Sequence, residues 1–450
     1  MKIAIVGAGY VGLVTGVSLA FLGHKVVCIE SNIDKVSVIN AGRSPFYELG
    51  LNELLKKVIS QKLFSATTKF EETVLNSDIT IIAVGTPTIN NKIDLTAIKK
   101  ASEQIGKALQ KIKNYHIVAV KSTVLPGVTG DVVRPILEKY SGKKIGEFGL
   151  CMNPEFLREG RALEDALNPD RVVIGQIDQK SGDEFVKIYA KLKVPKVFTN
   201  LKTAEMIKYA ANALFATLIS FSNEIAKITS RVGEVDATEV WDGVHLDRRL
   251  TPLYKGERIK SGILSYILSG CGYGGSCLPK DTKALLSFAQ SLKVTTPLLK
   301  SVIEINKSQP DQVLLLLKEV LGKNLSQKKI AVLGLAFKPG TDDTRESPAI
   351  PIIEGLLSNK AQVICHDPMI DQKNIPSQIN KPQVTLAQSL PQALTGVDAA
   401  IVVTSWPEYV KLSPEFFKKH MQQPIVIDGR RIYDKKSFLE KGVIYKGIGA

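Results

Sequence analysis

The sequence predicts an α/β protein built from two doubly wound domains joined by a long central helix, and three observations carry that prediction. The first 150 residues alternate short β-rich runs with longer helical stretches. The same alternation returns near the C-terminus. Between the two lies one long stretch with helical periodicity.

In chain order, the first strands are "KIAIVG", "KVVCIE", "ITIIAVG", "IVAVKST" and "FGLCMNP". Strands that alternate with helices imply a parallel sheet covered on both faces. In residues 200 to 233, Ile207, Leu214, Leu218, Phe221, Ile225 and Ile228 recur at helical steps. Such a helix would reach about 45 Å at 1.5 Å per residue, long enough to join two outer domains. Glu205, Lys208 and Asn212, three and four apart, share one of its faces, by default a solvated polar stripe. The second set of strands is "KKIAVLGLAF", "QVICHDP", "AAIVVTSW" and "PIVIDGRR". The expected boundaries are 1–199, 200–310 and 311–450.

A chain of 450 residues is too long for one core, in keeping with several domains. Hydrophobic content of 44% against 23% charged residues is that of a soluble globular protein. No apolar run approaches the roughly 18 residues that suggest a membrane span. The opening "MKIAIVGAGY" enters a strand pattern directly, without the parts of a signal peptide, so a cytoplasmic location is expected. The formal charge of +15 comes from dispersed lysines, with no like-charge block and no interleaved aromatics. It reads as a solvated surface, or in part as a basic cleft for an anionic small molecule, rather than a nucleic-acid footprint.

Five scattered cysteines give neither a disulfide framework nor a metal site. Cys28, Cys151 and Cys365 sit in strand-like apolar runs and read as small buried hydrophobes. Cys271 has glycine on both sides and no adjacent ionisable partner. Cys277 is different, with glycines before it and a Lys-Asp pair just after it.

"IAIVGAGYVG" places Gly7, Gly9 and Gly12 after a strand and before a helix. Glycines there permit a tight turn and close approach of backbone N–H groups to a pyrophosphate at the helix N-terminus. The second strand ends on Glu30, whose carboxylate suits the ribose hydroxyls and would repel a 2′-phosphate. The context is that of a Rossmann-like dinucleotide domain, favouring NAD over NADP, with FAD left open by the motif alone. Thr86 in "VGTP" and Ser122 and Thr123 in "KST" close later strands on the ligand side of such a sheet. Turn and helix-cap chemistry would also account for them.

Residues 270 to 281 read "GCGYGGSCLPKD", with Cys277 amid glycines and Lys280 and Asp281 just after it. Beside a nicotinamide, a thiolate can add to an aldehyde and form a thiohemiacetal, which can give up a second hydride and become a thioester. Glycine leaves room for the substrate, and its N–H groups can stabilise an oxyanion. Lys280 would favour the thiolate, and Asp281 could activate water. The plainer reading is a flexible linker with an idle thiol.

Taken together, "GAGYVG", "VGTP", "KST", "NPEFLREG", "AEMIKYAANA", "GYGGSCLPKD", "FKPGTDDTRESP" and "DGRR" resemble, in this order, the UDP-glucose 6-dehydrogenases of the UDP-glucose/GDP-mannose dehydrogenase family. The resemblance spans essentially the whole chain. It implies that Cys277 is the nucleophile, with Asp281 assisting water or proton transfer. Lys208 and Asn212 would hold the oxyanion and the reacting centre. Glu155 would be the acid/base group and substrate contact, and Thr123 would hold a water. For the cofactor it implies Gly7, Gly9, Tyr10, Val11, Gly12, Glu30, Lys35, Thr86, Thr123, Glu159 and Arg345. For the substrate it adds Arg249, Tyr273, Gly274 and Lys338. The three segments become an NAD-binding domain, a helical dimerisation segment carrying the cysteine loop, and a UDP-sugar-binding domain.

The implied activity is NAD-dependent, four-electron oxidation of UDP-glucose to UDP-glucuronate by a homodimer or higher homo-oligomer. GDP-mannose or a UDP-N-acetylhexosamine are alternative substrates, and a non-catalytic NAD-binding protein is the alternative outside enzymology. One departure stands out. Arg249 in "LDRRL" matches an arginine that crosses the family's dimer interface, but here "TPLYKGERIKSGILSYILSG" separates it from the cysteine loop.

Overall fold

Lys2–Val6 is apolar and buried at its last four positions, the pattern of a strand covered on both faces. In the computed structural model, which describes residues 1–89 and 92–450, it lies within an eight-stranded sheet. The spatial order is Lys196–Asn200, Val172–Gln176, Gly149–Met152, Ile117–Val120, Ile79–Ile82, Lys2–Val6, Lys25–Ile29 and Phe64–Thr67. All neighbours pair in parallel except Gly149–Met152 with Val172–Gln176, which run antiparallel. The order reverses at Lys2–Val6, so its carboxyl end is the switch point where doubly wound sheets take ligands. This sheet and its helices form one compact unit, Met1–Ala211.

The second unit, Asn212–Ala450, holds a six-stranded, wholly parallel sheet. Its order is Val384–Leu386, Gln362–His366, Lys329–Leu333, Ala399–Val402, Ile425–Asp428 and Ile444–Gly447. The first turns of the two sheets match closely. Gly7 N donates to Ile29 O and Gly334 N to His366 O, each over 2.8 Å, and both glycines have φ near +100°. A Cβ at Gly334 would lie 2.4 Å from Thr404 Cβ, and one at Gly7 would lie 2.8 Å from Ala83 O.

The predicted central helix is Leu201–Val232, about 48 Å at 1.5 Å per residue. Its apolar stripe marks the helix but not its buried face. Leu214, Phe221 and Ile228 are about half exposed, whereas Ala216, Ser220, Asn223 and Ala226 are buried. After Arg249, residues Leu253–Tyr254 and Glu257–Arg258 form a small hairpin. Lys255 and Gly256 both have positive φ, as a two-residue I′ turn requires. Among the described residues, no helix is long and apolar enough to cross a membrane.

Candidate functional site

In the first unit, the turn after Lys2–Val6 has the shape a pyrophosphate needs. A Cβ on Gly12 would fall 1.9 Å from Gly7 O, so only glycine lets this helix approach the turn. Gly9, which precedes the helix Tyr10–Phe21, faces open space. Glu30 closes the neighbouring strand, its Oε1 accepting from Asn32 N at 3.0 Å and Ser31 Oγ at 3.3 Å. The second unit lacks this opening. Asp367, at the position matching Glu30, is buried and accepts at one oxygen from Leu335 N, Ala336 N and Trp406 Nε1 at 2.7, 3.0 and 3.2 Å. That carboxylate occupies the amides a dinucleotide would use. The NAD cradle fits the first sheet.

Tyr10 is held in place. Its hydroxyl donates to Glu48, which also accepts from Gly160 N at 2.8 Å and Leu163 N at 3.3 Å. Burial and the Glu48 carboxylate push the phenol's pKa well up. Val11 is partly buried beside it, and Lys35 is exposed, donating its backbone N–H to the Asn32 helix cap. Thr86 Oγ1 donates to Thr123 O at 2.9 Å, joining the "VGTP" and "KST" turns.

A buried charge cluster lies in the same unit. Lys208 Nζ is 2.9 Å from Glu155 Oε1, and Glu155 Oε2 accepts from Leu157 N at 2.7 Å. Burial alone would raise the Glu155 carboxyl, but the Lys208 charge and hydrogen bond, the Leu157 N–H and Lys121 together hold it below the ordinary range. Lys121 is itself buried, donating to Asn153 Oδ1 at 2.9 Å. Burial lowers its pKa to about 8, Glu155 working against that shift and Lys208 with it. Glu159, in the same loop, is partly buried. Glu205 is anchored elsewhere, accepting from Gly127 N and Thr129 N at 2.6 and 2.8 Å.

In the second unit, Cys277 is the N-cap of the helix Leu278–Ser291, where unpaired N–H groups favour negative charge. Of the five cysteines it alone is not buried. Asp281, one turn on and 1% exposed, accepts from Asn212 Nδ2 at 2.6 Å and from the neighbouring Lys280 ammonium. Lys280 is therefore tied to Asp281. Asn212 and Lys208 lie one turn apart on one helix. Tyr273 is buried, and a Cβ on Gly274 would sit 2.4 Å from Glu346 O. Arg345 pairs with Asp343 at 2.8 Å, and Lys338 lies 5.3 Å from the Phe337 ring centroid. Arg249 stands in solvent, its side chain 89% exposed and paired with Asp247 at 2.6 Å.

The sequence did not point to Glu48, Lys121 or Asn153. Glu48 is a lone carboxylate far along the chain from Tyr10. Lys121 stood inside the quoted "KST", where a lysine bounded by a strand end is the one available signal of burial.

Three domains of the UDP-glucose/GDP-mannose dehydrogenase family match the chain: the NAD binding domain over residues 1–193, the central domain over 202–308 and the UDP binding domain over 331–435. The UDP-glucose 6-dehydrogenase of Haloferax volcanii is 40% identical over 447 residues, 98% of this chain and 99% of that protein. One from Bacillus subtilis is 40% identical over 449 residues, covering 100% of this chain and 93% of the relative. The solved UDP-glucose dehydrogenase of Pyrobaculum islandicum superposes with a TM-score of 0.88 at 37% identity, covering 99% of this chain and 97% of that one. Fold, cofactor turn and full-length similarity agree, and the chain belongs to the UDP-glucose/GDP-mannose dehydrogenase family as an NAD-dependent nucleotide-sugar dehydrogenase.

Proposed function

We propose that the protein oxidises UDP-glucose to UDP-glucuronate in two successive steps, with Cys277 as the covalent nucleophile of the second. One observation carries the reading: the one cysteine that is not buried caps a helix whose first turn presents a buried aspartate bonded to Asn212. Two NAD bound in succession would supply the hydride acceptors, one for each step. Gly7, Gly9 and Gly12, with Tyr10 and Val11 on the first helical turn, hold the cofactor's pyrophosphate. Glu30 takes the ribose hydroxyls, and Lys35, Thr86, Glu159 and Arg345 complete its contacts.

In the first step Glu155, held ionised, takes the proton of the C6 hydroxyl as C6 loses hydride and becomes an aldehyde. Lys208 and Asn212 stabilise the oxygen as charge develops. The Cys277 thiolate then adds to the aldehyde carbon, and loss of the second hydride turns the thiohemiacetal into a thioester. Water, held by Thr123 and deprotonated with help from Asp281, attacks the thioester. The C–S bond breaks, releasing the carboxylate and regenerating the thiol. Lys338, Tyr273, Gly274 and Arg249 bind the nucleotide sugar.

Residues 1–199 act as the NAD-binding domain, 200–310 as the dimerisation segment and 311–450 as the UDP-sugar domain. The half-exposed stripe of Leu214, Phe221 and Ile228 supports assembly into a homodimer or larger homo-oligomer. The expected location is the cytoplasm. NADH formation with a panel of UDP- and GDP-sugars tests the reading. Two NADH per UDP-glucose support it. Preference for GDP-mannose or a UDP-N-acetylhexosamine replaces the substrate, and no NADH with any sugar overturns it.

A further inference from the structure

The glycine-rich segment ahead of Cys277 is clamped rather than loose. Gly270 N donates to Asn223 Oδ1, and Gly270 O accepts from Gln309 Nε2, each over 2.8 Å. Cys271 N donates to Gly429 O at 2.7 Å, Gly272 O accepts from Arg430 Nη1 at 2.9 Å, and Gly275 N donates to Arg345 O at 2.8 Å. Tyr273 is held at both of its backbone groups by one side chain. Its N–H donates to Asn306 Oδ1 at 2.8 Å, and its carbonyl accepts from Asn306 Nδ2 at 3.1 Å.

A carboxamide that bonds both groups of one residue does what a neighbouring strand would do, and fixes that residue in position and rotation. Glycine loses more freedom on ordering than any other residue, so this segment would be the most mobile part of the loop without such ties. Asn306 lies on the helix Pro297–Leu321, three residues before Gln309. The pair therefore projects from one helix face onto the segment.

We propose that Asn306 is a positioning residue for Cys277: by gripping the Tyr273 backbone, it sets where the thiol at the start of the next helix stands. The inference rests on the proposed role of Cys277 in aldehyde oxidation. Its consequence is selective, because the first hydride transfer needs no thiol and the second requires one within bonding reach of the aldehyde carbon.

The test uses the full-length enzyme carrying Asn306→Leu, close in volume but without the amide. Two readouts are compared with wild type: iodoacetamide alkylation of native Cys277, followed by peptide mass, and turnover of the UDP-sugar 6-aldehyde. Oxidation of the aldehyde with NAD should fall about 10²-fold, the loss expected when a reacting group is misplaced by an ångström. Its reduction with NADH, compared as kcat at saturating aldehyde so that a weaker hold of Tyr273 on the sugar does not enter, should stay within about threefold. The Cys277 alkylation rate should change by about tenfold or more, following exposure and thiolate fraction. Asn306→Asp keeps the acceptor for Tyr273 N but sets a carboxylate against Tyr273 O, and carries the same test should the leucine variant not fold. An unchanged alkylation rate, with both directions of turnover lost equally, overturns the proposal. Acid formation by wild-type enzyme with Cys277 fully alkylated would instead overturn the proposed function, and alkylation rates alone would then decide the role of Asn306.

Discussion

Lys208 and Glu155 form an ion pair 2.9 Å long, with both side chains no more than 5% exposed. Breaking it from one side leaves a charge stranded in the core. Lys208→Met should therefore cost about 3–5 kcal/mol of stability, and turnover should fall by about 10²–10³-fold with a much smaller change in KM. Adding Glu155→Gln should restore most of the stability and none of the turnover. Loss of affinity alone in Lys208→Met would make it a binding residue.

The same pair predicts an acid sensitivity. The folded-state pKa of Glu155 is depressed, so its contribution is fully present above the unfolded carboxyl value and is lost as pH falls through the lower, folded value. Thermal unfolding should show the wild type losing more stability than the double variant as pH drops across that acidic window. Parallel curves for the two proteins would mean that Glu155 is not held ionised.

Cofactor choice should depend on Glu30. If its carboxylate takes the ribose hydroxyls as proposed, a 2′-phosphate would meet like charge there, and wild type should strongly prefer NAD. Glu30→Ala should weaken NAD and relax that preference, read as kcat/KM for each cofactor. Equal use of NAD and NADP by wild type would remove Glu30 from this role.

Glycine at position 274 is a matter of space. An added Cβ would meet Glu346 O at 2.4 Å and Phe337 Cβ at 3.0 Å, whereas at Gly262 it meets nothing within 4 Å. Gly274→Ala should cost about 1–3 kcal/mol, as overpacking does, and should impair aldehyde oxidation, while Gly262→Ala should be near neutral. Similar, negligible effects in thermal melts and turnover would restore the flexible-linker reading.

The exposed stripe on the central helix predicts an assembly. Phe221→Glu should give monomers by light scattering where wild type gives dimers or larger species, since a charge on an apolar contact face opposes association. A monomeric wild type would contradict this directly.

The strands quoted from the sequence are the ones with continuous apolar runs, and each is present. Most of those it did not reveal are short or at sheet edges, but Val172–Gln176 is internal and buried at its first four positions, and its short "VVIG" run alone does not distinguish a strand from a buried helical turn. Lys196–Asn200 is largely exposed along its length, and Val384–Leu386 has three residues. The antiparallel pairing of Gly149–Met152 with Val172–Gln176 left no mark in composition, because register and direction are tertiary choices. The central helix was readable from period, but from Asn212 on its buried face is made of Asn, Ala, Ser and Thr, which carry little hydrophobic signal, and its first turns bury Glu205 and Lys208 beside Leu201 and Tyr209. The cysteine helix and its aspartate were readable because both lie within one short motif. Asn306 and Glu48 were not, since each acts on residues more than thirty positions away.

On the proposed mechanism Cys277 serves the second oxidation and not the first. The direct measurement gives the UDP-sugar 6-aldehyde to folded Cys277→Ala, once with NADH and once with NAD. Reduction to the alcohol and no oxidation to the acid is the expected result, because without the thiol no thiohemiacetal forms to give up the second hydride. Acid formation at the wild-type rate would contradict it.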